Sequence, residues 1–201
     1  MTINTTTGRF MTDFGHIMLD LETMGKGSSA AIIAIGAVEF DPTTNTLGRE
    51  FYRTIDLENS VENGGIMDPS TVLWWMRQSE AAREEFAREG QPLRTVLHEF
   101  YEFVNESAGH CFELGIWGNG AAFDNVILRN AYANTRLKCP WEFRQDRCYR
   151  TLKALHPAIT APRGGTNHHA LDDAKNQALH LMEILSRPNR EVEPPPSGGR
   201  V

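Results

Sequence analysis

Ile17-Met18-Leu19-Asp20-Leu21-Glu22-Thr23 is an apolar run interrupted by two carboxylates at alternate positions. Read as a β-strand, it sends successive side chains to opposite faces, so Asp20 and Glu22 share one face while Ile17, Leu19 and Leu21 share the other. Two like charges side by side on an apolar element raise each other's pKa and lose hydration. A divalent cation offsets that cost; taken alone, the pair also suits an edge strand whose polar face is simply wet.

Working outward, the strand leads through a Gly/Ser turn to a second apolar run, Ala31–Phe40. After turn signals at Asp41-Pro42 and Asn45 comes a third strand, Arg49–Ile55. Three strands on short links read as an antiparallel meander. Asp68-Pro69 is a helix start, with Asp as N-cap and Pro at the first helical position, and the spacing predicts one helix to about Arg88. A second runs from Pro92 to about Asn105, with Val96, Leu97, Phe100 and Val104 at core spacing. Then follow a short strand at Leu114–Trp117, a helix at Asp124–Asn134, and a last strand and helical turn within Arg147–Leu155. Ala170–Leu185 closes the chain with a buried stripe of Leu171, Ala174, Ala178, Leu181 and Leu185. Strands that begin as a meander and go on to alternate with helices form a mixed α/β sheet covered on both faces. Trp74 and Trp75, about 100° apart on a helix, place one ring in the core and leave the other free for exposure. Met76, Phe86 and Phe100 read as core.

At 201 residues, with 40% hydrophobic and 23% charged residues, the chain suits one sizeable core rather than two. Residues 1–13 read as a flexible lead, 14–187 as the folded domain, and 188–201, with Pro194-Pro195-Pro196 and Gly198-Gly199, as a disordered tail. No stretch approaches the roughly 20 apolar residues of a membrane span, and the N-terminus lacks a signal-peptide pattern. Cys111, Cys139 and Cys148 form no CxxC pair, so a reduced, cytoplasmic setting is expected. The net charge of −6 argues against a general nucleic-acid coat. Between Arg136 and Arg163, however, seven Lys or Arg residues stand against Glu142 and Asp146, and a local basic region on an acidic chain can steer a polyanion.

Two further clusters carry acids. Asn119-Gly120-Ala121-Ala122-Phe123-Asp124 follows a strand and opens a helix. Asp124 there is either a plain N-cap or a carboxylate delivered to the end of a central strand, where open α/β sheets bind ligands. In Asn167-His168-His169-Ala170-Leu171-Asp172-Asp173-Ala174, helical geometry alone pairs His169 with Asp173. With neither a cysteine nor a third spaced histidine, this is a poor zinc site. Several carboxylates together suit Mg²⁺ or Mn²⁺.

Taken in order, Asp20-x-Glu22, Phe123-Asp124 and His168-x-Ala170-x-x-Asp173 resemble the three motifs of the DEDDh branch of the DnaQ-like 3'-5' exonucleases, over about Ile17 to Leu185. Asp20-Leu21-Glu22-Thr23-Met24-Gly25 is similar to the first motif, with Met24 replacing the usual threonine. Trp74-Trp75 and the region around them look most like the branch that includes exonuclease VIII and mycobacterial-type exoribonucleases. The resemblance implies an RNase H-like, mixed five-stranded sheet and a nucleic-acid substrate with a single-stranded 3' end, DNA or RNA. It implies two Mg²⁺ or Mn²⁺ ions held by Asp20, Glu22, Asp124 and Asp173, with release of nucleoside 5'-monophosphates. Its H-x-A-x-x-D spacing selects His168 over His169 as general base and Asp173 over Asp172 as ligand. Thr23, Met24, Asn119 and Phe123 would contact the substrate, and a homodimer is common in the family. Two other readings fit the first motif alone: an RNase H-like endonuclease or resolvase, and a non-catalytic nucleic-acid-binding domain.

Overall fold

The computed structural model describes residues 15–87, 89–108 and 114–187, the side chains of 85–87 and 108 excepted. The expected flexible lead, the expected tail, and the side chains of Phe86 and Cys111 lie outside the described residues. Five strands, β1 (His16–Thr23), β2 (Ile32–Asp41), β3 (Thr46–Thr54), β4 (Gly115–Gly118) and β5 (Asp146–Cys148), make one sheet in the order β3-β2-β1-β4-β5. β1, β2 and β3 are the antiparallel meander, and β4 and β5 run parallel to β1. The helices are α1 (Leu57–Glu62), α2 (Pro69–Trp75), α3 (Glu80–Ala87), α4 (Leu93–Ala108), α5 (Asp124–Asn134), α6 (Tyr149–Leu155) and α7 (Ala170–Ser186). No helix among the described residues is long and apolar enough to cross a membrane.

The alternation of β1 assigns its two faces. Ile17, Leu19 and Leu21 pack with Phe100 and Val104 of α4 and Ile127 and Leu128 of α5. Met18 packs on the other side with Val38 and Phe40 of β2 and Ala174, Ala178 and Leu181 of α7. Asp20 and Glu22 follow Met18 on the α7 face, near the end of the strand. β2, paired on both edges and covered on both faces, is buried along its whole length, which is why it reads as an unbroken apolar run.

Local chemistry explains the departures from expectation. Pro69 does open α2, and Asp68 caps it by accepting from the backbone N–H groups of Ser70 and Thr71. The single helix to Arg88 is instead α2 and α3, parted at Met76–Ser79. Arg77 and Gln78 bond back to the carbonyls of Trp74 and Trp75 at 3.1 and 3.0 Å, tightening the last turn. Ser79 then accepts from the N–H of Ala82 at 3.3 Å, the kind of bond with which serine starts a new helix. The break leaves Met76 exposed (64%) rather than in the core, whereas Phe100 is fully buried. Trp75 is the core tryptophan and Trp74 the exposed one, at 2% and 41%. In α7 the expected stripe holds at Ala174, Ala178 and Leu181, but Leu171 is only half-buried and Leu185 is exposed where the helix runs past the sheet. Asp124 is the first residue of α5 rather than its cap, a position taken by Phe123.

Candidate active site

Two glycines bring the helices that carry acids onto the sheet. Asp20 stands opposite Gly36 of β2, and a Cβ at Gly36 would overlap the backbone of Ala170 and Leu171. The first turn of α7 therefore lies directly on β2, which sets Asp173 beside Asp20 and Glu22. A Cβ at Gly118 would overlap the Asn125 amide and fall 3.0 Å from Asp124 Cβ, so α5 begins against the end of β4. Neither close approach tolerates a side chain.

The acids brought together are held at high electrostatic cost. Burial first, and then the charges of Asp124 and Glu22, push the Asp20 carboxyl well above its ordinary value. The Gln177 amide, which donates to Asp20 Oδ1 at 2.7 Å, opposes them. Asp124 is 2% exposed, and burial raises it to about 7 despite backbone N–H groups, including those of Leu21 and Asn119, and the charge of Arg150. Its Oδ2 is buried with no hydrogen-bond partner among the described residues. Burial also raises Asp173, against the charge and N–H of His168.

His168 adopts the left-handed conformation, φ 63°, which costs a non-glycine residue about 1–2 kcal/mol. The turn directs its ring back to the carboxylates: one ring nitrogen and one oxygen each of Glu22 and Asp173 lie within 4.8 Å of one another. Trp74 and Trp75 meet the imidazole edge-on, at centroid distances of 4.8 and 6.0 Å. His169 is still extended and stands before α7 rather than on its face. It caps α7, accepting from the N–H of Asp172 at 3.3 Å, and stacks on Tyr52 at 4.3 Å.

The cleft has two lobes that meet at Glu22. One, about 380 Å³, is walled by Thr23, Thr71, Trp74, Trp75 and Phe123. The other, about 360 Å³, holds Asp20, Asn119, His168 and Asp173 together with Lys153 and Arg163. Thr23, Phe123 and Asn119 thus face the cleft. Met24 does not: its side chain packs with Ala31, Ile33 and Trp75, and its backbone N–H and C=O are bonded to Ala31 and Asp68. The Trp75 indole N–H donates to the Thr23 carbonyl at 3.0 Å, fixing the strand end beside Glu22. Sequence reading missed Gln177, although it lies one helical turn beyond Asp173, where i,i+4 spacing puts both on one face. Repelling, buried carboxylate oxygens, one with no partner, form a donor set that fits hard divalent cations.

A family model described as the 3'-5' exoribonuclease Rv2179c-like domain matches residues 15–185. An exodeoxyribonuclease of Enterobacteria phage T4 is 29% identical over 119 residues, a match covering 55% of this chain and only 52% of the phage protein. Among solved structures, the nuclease domain of 3'hExo, a DEDDh family member bound to rAMP, superposes with a TM-score of 0.58 at 15% identity, covering 85% of this chain and 90% of that one. E. coli Exonuclease I in complex with a dT13 oligonucleotide gives 0.61 at 14% identity, covering 86% of this chain and 41% of that one. At such identities the two superpositions speak to the fold, which is the RNase H-like architecture that the motifs implied.

Proposed function

The chain belongs to the family of 3'-5' exoribonuclease Rv2179c-like domains, 3'-5' exonucleases of the DEDDh type, and on that premise we propose that it trims single-stranded 3' ends with two divalent cations, Mg²⁺ or Mn²⁺, and His168 as general base. The observation that carries this reading is the meeting of four acids from three separate elements, β1, α5 and α7, with an imidazole nitrogen within 4.8 Å of two of them.

In this reading Asp20, Glu22, Asp124 and Asp173 would hold the cations. When bound, such ions would supply positive charge for the nucleophile, the crowded phosphorus and the leaving oxygen. The chain's own groups do the rest. Gln177 orients Asp20. The terminal nucleoside enters the aromatic lobe, where Thr23 and Phe123 flank it and its base stacks on Trp74. His168 takes a proton from water as the water oxygen bonds to phosphorus and the bond to the upstream 3'-oxygen breaks. Imidazole is the side chain most often used for this task. The product is a nucleoside 5'-monophosphate.

The test is to incubate matched 5'-labelled DNA and RNA oligomers, single-stranded and duplex, with Mg²⁺, with Mn²⁺ and with chelator. The expected result is a ladder shortening one residue at a time from the 3' end, with free mononucleotide, that vanishes with chelator. The two sugars are compared because the family model is described as exoribonuclease and the phage relative as exodeoxyribonuclease. Internal fragments, or cleavage that persists in chelator, would overturn the reading.

A further inference from the structure

We propose that the second lobe is the track for the strand 5' to the scissile bond, and that Lys153 and Arg163 bind the phosphate on the 5' side of the penultimate nucleotide. The inference rests on the functional reading above and adds a subsite to it. With the terminal nucleoside in the aromatic lobe and the scissile phosphate at the acids, the leaving nucleotide departs on their far side. The second lobe continues the cleft from Glu22, and beside the acids and Tyr149 it presents the cations Lys153 and Arg163 and the amides of Asn119 and Asn167, whereas the first lobe has Lys26 as its one cation.

Both cations line the cleft and stand on anchored backbone. Lys153 lies on α6, its ammonium 5.9 Å above the Tyr149 ring. Tyr149 is buried and its hydroxyl bonds His180 Nδ1 at 2.6 Å, which fastens α6 to α7. Beside Arg163, Gly164 donates to Asn176 Oδ1 at 3.1 Å and accepts from its Nδ2 at 2.8 Å, a reciprocal pair that ties the loop to α7. Neither cation forms an ion pair with a carboxylate among the described residues. They are the cleft-facing part of the basic region between Arg136 and Arg163, and they explain how a chain of net charge −6 receives a polyanion: positive charge is concentrated where the strand passes, which raises the local concentration of an anionic ligand.

The test compares three substrates for the wild type and the Lys153→Gln/Arg163→Gln double variant. They are a dinucleotide with a 5'-phosphate, the same dinucleotide with a 5'-hydroxyl, and thymidine 5'-(4-nitrophenyl phosphate), whose leaving group is no nucleotide. The ratio of kcat/KM for the phosphorylated dinucleotide to that for either other substrate is expected to fall about tenfold in the variant. On a 12-mer, the slope of log kcat/KM against log salt should become shallower by about 0.7, since each phosphate neutralised on a single strand contributes roughly 0.7. The Lys153→Arg/Arg163→Lys variant keeps both charges and should restore the ratio. An unchanged ratio and slope, or an equal loss on all three substrates, would overturn the subsite while leaving the exonuclease reading intact. A wild type inactive on all three substrates and on the 12-mer would overturn both.

Discussion

Glu39 on β2 and the cleft acids carried by β1, α5 and α7 are treated in opposite ways. Glu39 of β2 is 3% exposed. Burial would raise its pKa, yet hydrogen bonds outweigh it and hold the carboxyl below the ordinary range. Arg49 supplies its guanidinium at 2.8 and 3.2 Å and its backbone N–H at 3.0 Å, and Ser107 donates as well. Asp20, Asp124 and Asp173 receive no Lys or Arg ion pair among the described residues, and burial raises all three. An acid that serves the fold is matched by an internal cation. Asp20, Asp124 and Asp173 lack that match, and the charges of Arg150 on Asp124 and of His168 on Asp173 do not outweigh burial.

The comparison breaks if Asp20→Ala or Asp173→Ala retains turnover of a single-stranded oligonucleotide. The expected outcome is loss of hydrolysis, with a chelated melting temperature equal to or above that of the wild type because repulsion is relieved. Next in size, His168→Ala should lose about 10²–10⁴ in kcat, and His169→Ala far less, since His169 caps a helix and stacks on Tyr52. The reverse order would show that the register before α7 is wrong.

Titration sharpens the comparison further, because the two sets carry opposite signs. Acids raised in the folded state bind more protons there than in the unfolded chain from about pH 4, the ordinary carboxylate value, up to about 7 for Asp124. Their contribution to stability is full below that window and is lost as pH rises through it. Chelated protein should therefore melt at lower temperature at pH 8 than at pH 5.5, and Asp124→Asn should flatten that slope. Glu39 contributes in the other direction, with stability present above its unfolded value and lost on acidification. Smallest of all, Glu39→Gln should cost about 1–3 kcal/mol by replacing a charged acceptor, with the low end expected because Arg49 is partly exposed. Its melting temperature should fall while turnover is kept.

How far the sequence discloses this depends on whether the signal is local. β1, the helix from Asp124 and the start of α7 at Ala170 are read nearly to the residue, because strict alternation or helical spacing coincides with a clear boundary residue. The break after Trp75 is not, since Met76, Arg77 and Gln78 all suit a helix and only the bond to Ser79 ends the continuity. The left-handed turn at His168 is equally invisible to spacing rules, which assign His169 to the helix face; only the motif resemblance picks out its neighbour. Gln177 and Gly36 matter through contacts with distant segments, and no window along the chain contains both partners. The same is true of Met24, whose burial is decided by Trp75, far along the chain.

The seat of α7 on Gly36 has a consequence for the order of assembly. The bond from Gln177 to Asp20 spans 157 residues, and closing a loop of that size comes at an entropic cost that local contacts must first offset. A chain that has formed its meander and both neighbouring parallel strands already holds Asp20, Glu22 and Asp124, yet it lacks the fourth acid and the imidazole. Those arrive together when the last helix settles onto a strand left bare for it. With His168 and Asp173 in the roles proposed, hydrolytic competence is expected late in folding, and the recovery of turnover after dilution from denaturant should time the docking of that helix.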